Sequence, residues 1–454
     1  MKILLVNPAF YDGQQFSNRY NNYLDWVKGG NLYVAPFEPP LGLASLTAYL
    51  KVQGYEVDLL DMQGLLMDST ELARTISERK PDLIGVTAMT TTLPSALKVA
   101  KLGRNLLPEA KIVLGGVHPT LDPAGVLANI DVDFVIRGEG EKALAGLVAA
   151  LNGQGSIKDV EGLCYRDENV IIIKDKVLIL DQNSLPGPDY EAFPVERYIE
   201  HNQLLRDIRG ISMLVSRGCP FPCSFCAVHQ TMGRKWRIKS PELVVEQMLA
   251  LKNKYRLDGI WFKDSIFNLN KEWTEAFAAE LIERKANIAW QANTRVDLID
   301  EEELKIMKNA GLVQLDLGIE SGSPNSLVKL KKGITVEQIK EKVKLAQKYV
   351  KVFGFFMIGL PGETEEDVLQ TFQLAKELEL DRSTWSIYSP LPGSNFYDDL
   401  VKEGKIEPYL LDYERIHFTE AYEGICQIPS ERLKELYQQI NNYFYKDSLV
   451  QSAG

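Results

Sequence analysis

Apolar runs alternate with segments of helical spacing along the first 150 residues. Residues 3–6 form an apolar run that turns at Asn7-Pro8. Residues 41–53 space their apolar positions three and four apart, and Gly54 stops them. The alternation repeats: strand-like at 57–60, helical at 69–79, strand-like at 83–87, helical at 93–106, strand-like at 111–114 and 133–136, helical from Glu141. Strands that alternate with helices predict a parallel, doubly wound sheet. Turn-forming and small polar residues gather at the predicted strand ends: Asn7-Pro8, Thr87, Gly115-Gly116 and Arg137-Gly138-Glu139-Gly140. Ligands of such sheets bind at that edge.

The pattern changes at about residue 160. Residues 162–166 and 170–174 read as a hairpin, and the proline-rich LPGPDYEAFPVERY reads as a linker wrapping between domains. A second βα series starts near Met213. Its strands are expected at 212–216, 259–262, 289–293, 314–318, 352–358 and 384–388, with helices between them such as 241–255 and 301–309. Six such units predict a partial parallel barrel with its site at the strand C-termini. One amphipathic helix, 430–445, marks the tail. The expected organisation is therefore α/β: a sheet domain at 1–160, hairpin and linker at 161–205, a partial (β/α)6 barrel at 206–395, and a mostly helical extension at 396–454.

Composition narrows the function classes. The 454 residues are 45% apolar and 25% charged, as in globular proteins, and the net charge of −11 argues against bulk nucleic-acid binding. No run of about 18 apolar residues exists to span a membrane. The first apolar run is too short for a signal peptide and no cleavage site follows it. A cytoplasmic protein is expected.

Three of the five cysteines lie within eight residues, in SRGCPFPCSFCAVHQ. Cys219, Cys223 and Cys226 are spaced C-x3-C-x2-C in a loop after a predicted strand. Cys164 and Cys426 stand alone and read as buried structural thiols. A zinc site wants four ligands and no second cysteine pair is present; His229 is the one nearby residue that would complete a Cys3His site. Three thiolates on an iron–sulfur cluster leave one iron without a protein ligand, which is what a substrate-binding metal needs.

The C-x3-C-x2-C loop after the first strand of a partial barrel resembles the radical SAM superfamily. The resemblance implies a [4Fe–4S] cluster on Cys219, Cys223 and Cys226, with S-adenosylmethionine (SAM) on the open iron. It implies that Phe225 packs near adenine. It makes the strand ends the SAM contacts: Asp264 after the second strand, Arg295 after the third, Glu320 and Ser321 in GIESG after the fourth, Gly359 and Pro361 in IGLPGET after the fifth, and Tyr388 after the sixth. Arg295 suits the SAM carboxylate as a bidentate partner, and Glu320 suits ribose hydroxyls or the ammonium. The alternatives are a helix cap at Ser321, a plain turn capped by Thr364, and a salt bridge for Arg295. The Gly-Gly-Glu that many members carry after the second strand is absent; Asp264 stands there.

A Rossmann-like domain before such a barrel resembles the cobalamin-binding branch of the superfamily. The matching pieces are Asn7-Pro8, PPLGLA from Pro39, GGVHPT from Gly115 and RGEGE from Arg137. They make Asn7, Pro40, Gly42, Thr87, Gly115, Gly116, His118, Thr120, Glu139 and Gly140 the cobalamin candidates. Glycines there let a corrin or its tail lie against backbone. The D-x-H-x-x-G signature that supplies a histidine to cobalt is absent, and His118 reads alternatively as a loop-capping residue.

By this resemblance, one SAM methylates cobalt(I), a second is cleaved to the 5′-deoxyadenosyl radical, and the substrate radical takes methyl from methylcobalamin. A C-methyltransferase acting on an unactivated carbon is the first expectation. A cyclase or ring-rearranging enzyme with the same cofactors is the alternative, and a non-enzymatic iron–sulfur or cobalamin sensor a further one. A methylthiotransferase would need a second cysteine triplet, which the first domain lacks. The expected partners are a small-molecule, lipid-precursor or peptide substrate and an electron donor such as flavodoxin or ferredoxin. Aromatic residues gather at 11–33 and 388–422, where they line a pocket or pack the core.

Overall fold

The computed structural model describes residues 1–9, 38–168, 170–200, 208–408 and 418–450. The aromatic-rich stretch 11–33 lies outside them. Strand β1 (Lys2–Asn7) lies between β2 (Glu56–Asp61) and β3 (Leu83–Thr87); β4 (Lys111–Gly115) and β5 (Phe134–Ile136) follow, all parallel. The winding reverses between β1 and β3, which opens a crevice at the strand C-termini there. Strands β6 (Leu163–Asp167) and β7 (Val170–Ile172) form the expected hairpin and add to this sheet antiparallel, β6 against β5. Leu163, Cys164 and Tyr165 are buried, so the hairpin belongs to the first core rather than hanging in a linker.

Helices start where local chemistry caps them. Asp68 accepts from the Glu71 amide and Glu71 reaches back, closing a capping box before Ser69–Arg79. Thr364 and Asp367 do the same before Glu365–Glu377.

The second sheet contains β8 (Gly210–Met213), β11 (Gly259–Phe262), β12 (Ala289–Arg295), β13 (Leu312–Glu320), β14 (Lys351–Ile358) and β15 (Arg382–Ile387), all parallel and each beside its predecessor. This is the expected half-barrel. Its first strand ends at Met213 rather than Ser216. The Val215 and Ser216 amides turn aside to the Asp264 carboxylate, and β9 (Ser216–Arg217) pairs antiparallel with β10 (Arg237–Ile238).

One continuous core joins the two sheets. The linker fastens both: the Tyr198 hydroxyl donates to Asp61 at the end of β2 (2.6 Å), and the Tyr190 hydroxyl to the Ser212 carbonyl on β8 (2.9 Å). Under the barrel, Phe262, Phe267, Phe277 and Trp290 pack edge-on or tilted, with centroids 4.5–6.0 Å apart. The C-terminal helix Ser430–Val450 buries Leu433, Leu436 and Ile440 and stacks Phe444 against Trp385. No helix among the described residues is long and apolar enough to cross a membrane.

Candidate functional site

The three-cysteine loop leaves and re-enters through a pinned neck. Ser216 pairs with Ile238 and Arg217 with Arg237. Gly218 follows at φ +87°, and a Cβ there would collide with the Lys235 carbonyl, so only glycine fits. Inside the loop the Cys219 amide donates to Gly233 (3.1 Å), the Ser224 amide to Leu330 (3.0 Å), and the Phe396 amide to Ser224 (2.9 Å). The loop is thus held from both its neck and the far side of the barrel.

Cys223 is buried and its two companions are half-buried. Burial, with the charges of Cys223, Cys219 and Glu320 adding to it and the Val228 amide opposing it, pushes the Cys226 thiol up to about 11. Burial also raises Cys219, against the Phe221 amide that hydrogen-bonds its sulfur. The thiols sense one another's charge, and a metal binding here displaces their protons. Among the described residues, no three Cys, His, Asp or Glu side chains converge on a single-ion site. A zinc ion needs such convergence; a cluster, whose thiolates bind separate irons, does not. His229 joins no such group with the three cysteines. Three thiols, with backbone amides on the sulfurs of Cys219 and Cys226 and the Arg295 side chain beside that of Cys223, fit an iron–sulfur cluster.

The barrel-edge residues meet different fates. Arg295 closes its fork on Asp297, 2 residues on, with Nε and Nη2 at 2.9 and 3.0 Å. That leaves no open fork for an external carboxylate. Asp264 is fully buried, and one of its oxygens takes the Val215 and Ser216 amides and the Ser216 hydroxyl (2.5 Å). Burial raises its pKa to about 6. It clamps the exit of β8, and its second oxygen is buried with no hydrogen-bond partner among the described residues. Glu320 stands beside Cys226, at φ +69° on a bulge of β13, and pairs with Lys332 (3.2 Å). Gly318 makes room for that pair: a Cβ there would lie 2.7 Å from Glu320 and 3.0 Å from Lys332.

Ser321 is enclosed. Its hydroxyl meets Thr371 (2.9 Å) and accepts from the Ser323 amide (3.1 Å), so it neither faces the edge nor caps the helix; Ser323 is the cap. The amides of Gly359 and Leu360 donate to buried Glu363 (2.6 and 3.0 Å), whose carboxyl burial raises to about 7. What approaches Gly359 is Leu433, 2.6 Å from where a Cβ would be; half-buried Pro361 sits in the same turn, and Thr364 caps the helix after it. Phe225 and Tyr388 share one apolar cluster with Leu330, Leu360 and Phe396, against the cysteine loop.

At the first sheet, a cavity of about 230 Å³ opens at the C-termini of β1, β3 and β4. Gly42, Thr87, Gly115, Gly116, Thr120, Glu139 and Gly140 line it, seven of the ten residues expected there. Gly42 faces open space: a Cβ would meet nothing within 4 Å. Gly116 sits at φ +106° against Ala88 and Thr87. Glycine backbone and aliphatic side chains such as Leu41, Leu46 and Ile136 wall the cavity, a surface against which a flat, largely apolar ring such as a corrin can lie.

The other three expected residues lie elsewhere. Asn7 donates to Asp61 (2.8 Å), and Pro40 stands just ahead of the helix Leu41–Val52. His118 is 1% exposed, with Nδ1 3.2 Å from the Thr90 hydroxyl, and burial lowers its pKa to about 4. Its ring is neutral and packed beneath the cavity wall. No histidine among the described residues lines the cavity.

The opposite wall was not foreseen. It is made of residues 214–217 and of Thr231 and Met232, the two legs of the cysteine loop, together with Leu185 and Pro186 of the linker. Buried charges rivet the two walls together. Arg217 pairs with Glu139 (3.1 Å) and Glu141 (2.5 Å), and Arg237 with Glu139 (2.7 Å). Glu139 therefore spends its carboxylate on the cysteine-loop neck. The clue was two like-spaced glutamates in RGEGE and two arginines flanking the cysteines.

The chain matches the family model of the B12 binding domain over residues 28–148 and that of the Radical SAM superfamily over residues 213–375. An uncharacterized methyltransferase from Pyrococcus horikoshii is 32% identical over 412 residues, 90% of this chain and 88% of that protein. The anaerobic magnesium-protoporphyrin IX monomethyl ester cyclase of Rubrivivax gelatinosus is 28% identical over 463 residues, 99% of this chain and 79% of its own. Among solved structures, the radical S-adenosylmethionine methyltransferase TsrM from Kitasatospora setae, with cobalamin and a [4Fe–4S] cluster bound, shares the fold. Its TM-score is 0.71 at 21% identity, over 89% of this chain and 78% of that one. With its two matched domains meeting at one cavity, this chain belongs to the family of cobalamin-binding radical SAM proteins.

Proposed function

We propose that this chain is a cobalamin-dependent radical SAM enzyme that transfers a methyl group to an unactivated carbon. One observation carries the reading: both legs of the three-cysteine loop line the cavity at the edge of the first sheet. Whatever the cavity holds lies beside whatever the cysteines hold. When bound, the cluster supplies the electron that cleaves SAM, and cobalamin supplies a methyl carrier.

The chain's own residues position and protect. Cys219, Cys223 and Cys226 hold the cluster. The backbone at Gly42, Gly115, Gly116 and Gly140, with Thr87 and Thr120, cradles cobalamin. Glu320 and the free oxygen of Asp264 are the polar groups left at the barrel edge for SAM. Phe225 and Tyr388 form the apolar wall that keeps water from the cluster. Hydrogen abstraction needs no acid–base pair, so orientation is the main task of the protein. We further infer a cytoplasmic setting, a one-electron donor of the flavodoxin or ferredoxin type, and a small-molecule, lipid-precursor or peptide substrate. A relative that matches over 99% of this chain is a cyclase, which keeps cyclisation as the second reading.

Anaerobic reconstitution with iron, sulfide and cobalamin, then SAM and titanium(III) citrate, tests the proposal. Both 5′-deoxyadenosine and S-adenosylhomocysteine are expected. Deoxyadenosine alone favours the cyclase reading, S-adenosylhomocysteine alone indicates polar methyl transfer, and neither product overturns the radical reading.

A further inference from the structure

Arg295 ends β12, is 5% exposed, and has every nitrogen engaged. Nε and one terminal nitrogen hold Asp297, and that nitrogen also donates to the Lys332 carbonyl (2.5 Å). The other terminal nitrogen lies 3.5 Å from Cys223 Sγ. The guanidinium plane stacks 3.8 Å over Phe221, which sits inside the cysteine loop between Cys219 and Cys223. A guanidinium meant for an incoming carboxylate would present an open fork. This one has a single terminal nitrogen left, and that nitrogen lies beside sulfur.

We propose that Arg295 is a positioning and tuning residue for the cluster: it holds the Cys219–Cys223 arc through Phe221 and raises the cluster's reduction potential through Cys223. The proposal rests on the three cysteines holding that cluster. Reduction adds negative charge to a group already carrying thiolates. A donor N–H and a buried cation stabilise the reduced form more than the oxidised one. Asp297 opposes this, but its side chain is 31% exposed, where water screens it, while that of Arg295 is 7% exposed. Lys332, 5% exposed, adds a second cation that Glu320 partly neutralises.

The test is a potentiometric titration followed by electron paramagnetic resonance on reconstituted wild type, Arg295→Gln and Arg295→Lys, with SAM affinity measured on the oxidised proteins. Wild type should load about four irons per chain. At its midpoint, Arg295→Gln should show a tenfold lower reduced-to-oxidised ratio, about 59 mV more negative for a one-electron couple. Arg295→Lys keeps the charge without the fork and should recover part of the shift. SAM affinity should change less than twofold. An unchanged midpoint, with or without weakened SAM binding, overturns the proposal. Should Arg295→Gln fail to load iron, Asp297→Asn supplies the reading: removing the opposing charge should move the midpoint positive, and no movement overturns the proposal. Wild-type protein that takes up no iron would instead remove the cluster reading beneath it.

Discussion

The two sheet edges that meet at the cavity are built from opposite materials. The first is mainly glycine, threonine and aliphatic residues, with Glu139 and Glu141 paired to the second edge, open space at Gly42 and backbone walls at Gly115 and Gly116. The second is cysteine, arginine, lysine and carboxylate, and most of its charges are already paired: Arg295 with Asp297, Glu320 with Lys332, Arg217 with Glu141. The first edge leaves space by withholding side chains at its glycines. The second holds its loop by spending side chains on one another. A glycine at a strand end is therefore a direct sign of space, whereas a charge at a strand end is ambiguous until its partner is known.

Breaking the second edge at its centre should have the largest effect. Cys223→Ala is expected to abolish cluster loading and all deoxyadenosine formation while cobalamin still binds; iron analysis and the cobalamin absorbance spectrum read both. Next comes the rivet between the edges. Arg217→Ala leaves Glu141 buried without its partner, while Glu139 keeps Arg237, and should cost about 3–5 kcal/mol in denaturant unfolding. A loss under about 1 kcal/mol would show that the two walls are held by packing alone.

The wall beneath the first edge carries a pH signature. The folded pKa of His118, about 4, lies below the ordinary 6.5, so the unfolded chain takes up the proton first as pH falls. Stability is intact above pH 6.5 and is lost as pH drops toward 4, by up to about 3 kcal/mol. His118→Asn should flatten that decline; an equally steep decline would contradict a buried neutral ring. The smallest effect is the most selective. Gly42→Leu fills open space without a clash and should weaken cobalamin about tenfold, about 1.4 kcal/mol, leaving iron content unchanged. Unaltered cobalamin affinity would place the ligand elsewhere.

Most of the architecture was legible because its signals are local. Apolar runs of four to eight residues placed the strands of both sheets, and apolar positions three and four apart placed the helices between them. The cysteine spacing is local too. What escaped was set by distant partners. Ser321 is enclosed by Thr371, 50 residues away, and Gly359 is small because Leu433 of the tail helix rests on it. Hydrophobic pattern could not show that the hairpin β6–β7 would join the first sheet, since either edge of that sheet accepts a short strand. Asp264 illustrates the same limit: a carboxylate after the second strand suits a ligand ammonium, yet the nearest donors are the amides of Val215 and Ser216. The salt-bridge alternative for Arg295 had a local sign: Arg295 and Asp297 stand two apart in the chain, and an arginine with a carboxylate that near has a ready partner.

The central claim is that the two edges form one site with two cofactors. It is tested most directly by electron paramagnetic resonance of chain loaded with both cob(II)alamin and the reduced cluster. The account predicts broadened or split signals from the interaction of two nearby spins, lost in Cys223→Ala. Two spectra that superimpose on those of the singly loaded proteins would contradict it.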